Sequence, residues 1–115
     1  MKSILDKLYF KEKSSSLLLH KPLDVTIEIN NNPSGKYDFV LAFYENLENL
    51  EKEIKEVRSS LNDHAILWIA YPKAKQKDTN LNRDILREGL AKYSLEAVSI
   101  ISIDDTWSAL RFKQI

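Results

Sequence analysis

Apolar positions recur in two rhythms along this chain, and the switches between them mark its elements. Ile4, Leu5, Leu8 and Tyr9 have the spacing of one helical face, which predicts a short amphipathic helix over residues 3–10 docked on the body. Ser14 to Ser16 end it, and Leu17, Leu18 and Leu19 make a brief apolar strand closed by His20-Lys21-Pro22. Val25, Ile27 and Ile29 then alternate with Thr26 and Glu28, the period of a half-buried strand. NNNPSG, residues 30–35, is turn chemistry and closes it.

YDFVLAFY, residues 37–44, is almost continuously apolar, as expected of a central strand covered on both faces. Leu47, Leu50, Ile54, Val57 and Leu61 then step by three and four, with Glu and Lys between them, so a helix follows and Asn46 suits its cap. HAILWIAY, residues 64–71, reads as a second buried strand ended by Pro72. A second helix, from Leu81 to Tyr93, sets Leu86, Leu90 and Tyr93 on one face with Ile85 and Gly89 beside them. AVSIISI and TWSALRF, joined by Asp104-Asp105, form an antiparallel hairpin. Alternation of strand and helix from residue 37 onward predicts an α/β fold: a parallel sheet with right-handed crossovers, finished by an antiparallel strand.

Composition narrows the chemistry. A chain of 115 residues suits a single domain over 1–115, burying roughly 65% of its unfolded surface without needing a disulfide or metal. Lys plus Arg and Asp plus Glu number 17 each, so no net basic field gathers nucleic acid or an anionic membrane. With no cysteine, a disulfide framework, a thiolate zinc site and a cysteine nucleophile all drop out. Only His20 and His64 are available as imidazole ligands, far apart in sequence. Lys2, Asp6 and Lys7 interrupt what would be the apolar core of a signal peptide, and no run approaches the roughly 18 apolar residues of a membrane span. A cytoplasmic location is the expectation.

The pieces ILDKLYFKEKSSSLLLHKP, YDFVLAFYEN, LWIAYPK, TNLNRD and DDTWSALRF resemble a small family of uncharacterised bacterial proteins, a domain of unknown function, most strongly at YPK and at DxTWSxLRF. Its members resemble cut-down class I methyltransferases. The resemblance implies a Rossmann-like, methyltransferase-like open sheet, mostly parallel with an antiparallel C-terminal strand, and no assigned activity. The chain departs from that pattern near its start. Only residues 20–24 separate LLL from VTIEI, and only 30–36 precede YDFVLAFY, whereas a crossover needs about a dozen residues. N-terminal crossover helices are therefore reduced. A sheet face left bare by that loss would be covered by another chain, so a homodimer or protein partner is expected.

Such a fold suggests an S-adenosylmethionine pocket, which needs a glycine-rich turn after the first strand and an acid after the second. His20-Lys21-Pro22-Leu23-Asp24 contains no glycine, and Glu28 matches the acid only by coincidence. The two glycines are Gly35, in a turn, and Gly89, in a helix, so no cofactor is expected. A second candidate is AYPKAKQKDTNLNRD. Lys73, Lys75 and Lys77 follow the strand that ends at Tyr71, at the carboxyl edge of the sheet, Thr79 or Asn80 would cap the next helix, and Arg83 extends from its first turn. This combination suits a phosphate or another anion, although alternate lysines also keep a sheet edge soluble. Asp105 and Trp107 emerge at the same edge. Asp105 would pair with Lys73 or Arg83 and Trp107 would supply a flat wall, or else they are a turn residue and a core anchor.

Catalytic constellations are thin. No GxSxG elbow exists, His64 should precede its strand at the amino edge, His20 stands at the carboxyl end of the first strand, and Asp104 and Asp105 point apart in an extended turn. The sequence thus predicts a non-catalytic binding or interaction module. Its cleft would be formed by Tyr71, Lys73, Lys75, Thr79, Arg83, Asp105 and Trp107, with a small anionic ligand. The alternative is an enzyme using S-adenosylmethionine or a phosphorylated ligand through a non-standard loop.

Overall fold

The apolar run after Lys36 forms the middle of a parallel array, buried at every position but Asp38. A computed structural model describes residues 7–8, 15–23, 25, 27, 36–73 and 81–114. Its elements are β1 (Ser16–Leu19), β2 (Tyr37–Phe43), α1 (Leu47–Ser59), β3 (Leu61–Pro72), α2 (Arg83–Ala91), β4 (Leu95–Ser102) and β5 (Trp107–Gln114). One five-stranded sheet has the order β1-β2-β3-β5-β4. β1, β2 and β3 are parallel, with Leu18 beside Leu41 and Leu41 beside Trp68. β5 runs against both neighbours, with Leu110 opposite Ile69 of β3 and Ile100 of β4. The mostly parallel α/β sheet with an antiparallel last strand is the architecture expected from the alternation.

α1 and α2 cover one face. Asn46 caps α1, its side chain accepting from Asn49 N at 2.9 Å, and α1 buries Leu50, Ile54 and Val57. α2 is capped by Asn82, which accepts from Ile85 N at 2.8 Å. The cap expected at Thr79 or Asn80 is thus corrected: the side-chain amide of Asn82 reaches the free NH three residues on, and Arg83 is the first helical residue. Leu86 and Leu90 join Leu50, Ile54, Val40, Leu67, Ile69 and Phe112 in a continuous core.

The opposite face carries Phe39, Leu41, Phe43, Trp68, Ala70, Trp107 and Ala109, packed with Leu8, Val25 and Ile27. It is not the bare face expected from the missing crossover helices. Trp68 is fully buried and Phe39 1% exposed within the chain itself. The N-terminal segment reaches across to Trp68, whose Nε1 donates to the Leu8 carbonyl at 2.9 Å. Val25 and Ile27 are buried as their alternation predicts but lie outside the five strands, while Thr26, Glu28 and Ile29 lie outside the described residues. Of the helix expected over 3–10, Lys7 and Leu8 are described.

β3 is longer than its apolar run. It starts at Leu61 opposite Tyr37, and its register then slips, so that β2 advances from Tyr37 to Phe39 while β3 advances from Leu61 to Ile66. His64 sits inside this bulge at φ 63°, within the strand rather than before it. At the hairpin, Asp104 Oδ1 accepts from Thr106 N and Trp107 N, both at 2.8 Å, a local turn that orients the start of β5.

Candidate functional site

Because β1, β2 and β3 run in parallel, their carboxyl ends share one edge of the sheet. Beyond β1 the chain turns at His20, which takes φ 56°, a left-handed conformation that a side chain rarely adopts. β2 runs on through Tyr44 and Glu45 to Asn46, the cap of α1. Asn46, Asn49 and Glu53 follow at intervals of three and four, so they form a polar stripe beside the buried stripe of Leu50, Ile54 and Val57. These pieces enclose a cleft of about 280 Å³, lined by His20, Pro22, Phe43, Tyr44, Glu45, Asn46, Asn49, Glu53 and Trp107.

Three polar side chains meet on its wall. His20 Nε2 lies 2.8 and 3.1 Å from the two oxygens of Glu53, and the Tyr44 hydroxyl donates to Glu53 Oε1 at 3.2 Å. The His20 and Tyr44 rings meet edge to face at 5.5 Å. Burial, then the charge of Glu53 and the hydrogen bond to it, push the Tyr44 phenol well above its ordinary value, so it stays protonated. Phe43 and Trp107 form an aromatic wall, edge to face at 5.2 Å and 82°. Among the described residues the lining holds two carboxylates, four aromatic or imidazole rings and two amides, and neither lysine nor arginine.

Among the described residues of the cleft expected from the sequence, only Trp107 lines this one. Tyr71 is buried among the helix-side residues, opposite Ser108, to which it is hydrogen-bonded. Burial raises its phenol, against the lowering effects of Arg83 and of the Ser108 bond. Trp107 belongs to the other face of the sheet, so the pair does not line one cleft. The Lys73 amine donates to Ser102 Oγ at 2.7 Å and its backbone NH to Thr106 O at 2.7 Å, which ties the end of β3 to the β4–β5 turn. Arg83 lies 3.8 Å from Asp84, and Asp105 is exposed with no ion pair to Lys73 or Arg83 among the described residues. Lys75 and Thr79 lie outside the described residues. Sequence reasoning had placed His20 at the right edge but missed Tyr44, Asn46, Asn49 and Glu53. The three-four spacing of the polar stripe was the available signal.

Among the described residues no group of three His, Asp or Glu side chains is arranged to hold a metal, and no helix is long and apolar enough to cross a membrane.

No family model matches the chain, and no curated protein matches it. Solved structures do. A ribosomal protein L11 methylase from Lactobacillus delbrueckii subsp. bulgaricus superposes with a TM-score of 0.51 at 18% identity, covering 72% of this chain and 39% of that one. DhpI, in its complex with SAH, superposes with a TM-score of 0.50 at 12% identity, covering 76% of this chain and 54% of that one. The chain therefore spans about half or less of the length of these neighbours. At this identity the likeness defines the fold: a small, open, Rossmann-type α/β sheet like those of methyltransferases.

Proposed function

We propose that this protein is a non-catalytic binding module on a methyltransferase-like scaffold, and that it takes a small cationic ligand with an apolar or aromatic portion in the carboxyl-edge cleft. The observation that carries this reading is the cleft's lining, in which Glu45 and Glu53 stand among the rings of His20, Phe43, Tyr44 and Trp107, with neither lysine nor arginine among the described lining residues. Carboxylates supply the countercharge and aromatic faces attract a desolvated cation. Glu53 and Tyr44 serve each other here, and the phenol stays neutral, which suits holding a ligand better than moving a proton. The ligand class thus shifts from the anion suggested by the lysine loop, where the Lys73 amine is already engaged by Ser102.

The competing reading is an S-adenosylmethionine-dependent enzyme, favoured by a cleft that lies at the carboxyl ends of parallel strands. Against it, the turn after β1 is His20-Lys21-Pro22, where close approach of backbone to such a cofactor calls for glycine. A thermal-shift panel on the full chain separates the two. Phenethylammonium, S-adenosylmethionine, S-adenosylhomocysteine and inorganic phosphate are compared, each at about 100 times its dissociation constant where binding occurs, which stabilises by roughly 2.7 kcal/mol. The module reading expects a shift with phenethylammonium that is lost in Glu53→Gln, and none with phosphate. A shift confined to the two adenosyl compounds would favour the enzyme.

A further inference from the structure

His20 lines the cleft and also contacts one of its two carboxylates. Its ring stands edge to face against Tyr44, with Nε2 at 2.8 and 3.1 Å from the two oxygens of Glu53. An ionised carboxylate only accepts hydrogen bonds, so Nε2 carries the proton of the neutral ring and Nδ1 is the atom left to take a second. Glu53 thus receives two donors that differ in kind. Tyr44 keeps its proton, because burial and Glu53 raise its phenol, whereas imidazole is the side chain that ordinarily changes charge between about pH 5 and 8. Among the described residues, the other titratable or charged groups around the His20 ring are Glu53 of α1, Tyr44 and Glu45 beyond β2, and the neighbouring Lys21. The Lys21 amine is held by the carbonyls of Pro22 and Val25 at 3.3 and 2.8 Å, and Phe43 and Trp107 bring no charge.

With the imidazole neutral, the charges on the described lining are those of Glu45 and Glu53, both negative. A proton on Nδ1 leaves the contact with Glu53 in place and turns it into an ion pair. One of the two carboxylates is then neutralised from within the wall, and a positive charge stands on a cleft of about 280 Å³ that a cation has to enter. From this geometry we infer that His20 makes the cleft pH-sensitive: the ligand cation and the second His20 proton disfavour one another, so the cleft holds its ligand when the ring is neutral and releases it on acidification. The inference rests on the cation reading of the cleft and adds the regulation of that site. His64, the chain's other histidine, sits in the β3 bulge and is not among the lining residues, which makes it an internal reference.

Phenethylammonium binding to the full chain is measured by titration calorimetry at about pH 5.5 and about pH 8, between which a primary ammonium and ordinary carboxylates keep their charge. Affinity is expected to be roughly fivefold weaker at the lower pH, the low end of coupling between sites, because the His20 side chain is 50% exposed. His20→Asn suits the left-handed turn and cannot gain the charge, so its affinity should be the same at both pH values, while His64→Asn keeps the dependence. Coupling is reciprocal, so saturating probe should move the ring-proton titration of His20, followed by nuclear magnetic resonance, to lower pH and leave that of His64 in place. Equal wild-type affinity at the two pH values, or a dependence that survives in His20→Asn, overturns the inference and leaves the cation reading standing. No binding at either pH removes the cation reading itself and the inference with it.

Discussion

The indole of Trp68 and the carbonyl of Leu8, sixty positions apart, are joined by a buried hydrogen bond of 2.9 Å. This bond attaches the chain at Leu8 to the sheet face opposite α1 and α2. Trp68→Phe keeps most of the apolar contact but leaves the Leu8 carbonyl buried without a donor. The expected cost is about 1 to 3 kcal/mol, read as a lower urea midpoint with an unchanged slope. An unchanged midpoint would mean that the segment is not held this way in solution.

His20 spends backbone energy to turn the chain beyond β1. At φ 56° a residue with a Cβ is strained and glycine is not. His20→Gly and His20→Ala both lose the contact with Glu53, so their difference isolates the backbone. The glycine variant should be the more stable by about 1 kcal/mol, measured by chemical denaturation. Equal stabilities would place the residue outside the left-handed region.

Tyr44 gives the protein an alkaline limit. Its phenol is raised above the ordinary value of 10.0 in the folded chain, chiefly by burial and then by Glu53. The unfolded chain releases this proton first, so the contribution is fully present below pH 10.0 and is lost as pH climbs above it. Wild type should therefore lose stability above that pH more steeply than Tyr44→Phe. Parallel pH profiles would show that the phenol is solvated.

Gly89 has no steric reason to be glycine. A Cβ there would meet Leu47 Cδ1 at 3.7 Å, an ordinary contact between α2 and α1. Gly89→Ala should stabilise the protein by roughly 0.5 to 1 kcal/mol through helix propensity, seen as a higher melting temperature. A loss of stability would indicate that the helices pack more tightly than this.

Periodicity carried most of the fold. Apolar steps of three and four located α1 and α2 and their buried faces, and along β5 the period of two holds in the structure, with Trp107 and Ala109 on one face and Leu110 and Phe112 on the other. It was weaker wherever geometry depends on a partner. The start of β3 was hidden because a bulge holding His64 carries polar residues into the strand. The grouping of Tyr71 with Trp107 went astray for a related reason: Tyr71 lies opposite Ser108 and the next residue, Pro72, opposite Trp107. Adjacent positions on paired strands point to opposite faces, so these two aromatic residues cannot share a wall. His20 and Glu53 meet across 33 positions through a parallel pairing whose register no local pattern states.

The claim that the carboxyl-edge cleft binds a small cation is tested most directly by an amide and indole chemical-shift titration of the labelled full chain with phenethylammonium. The account predicts saturable shifts at Asn46, Asn49, Glu53 and the Trp107 indole, abolished in Glu53→Gln. Shifts centred instead on Lys73, Arg83 and Asp105, or none at millimolar probe, would contradict it.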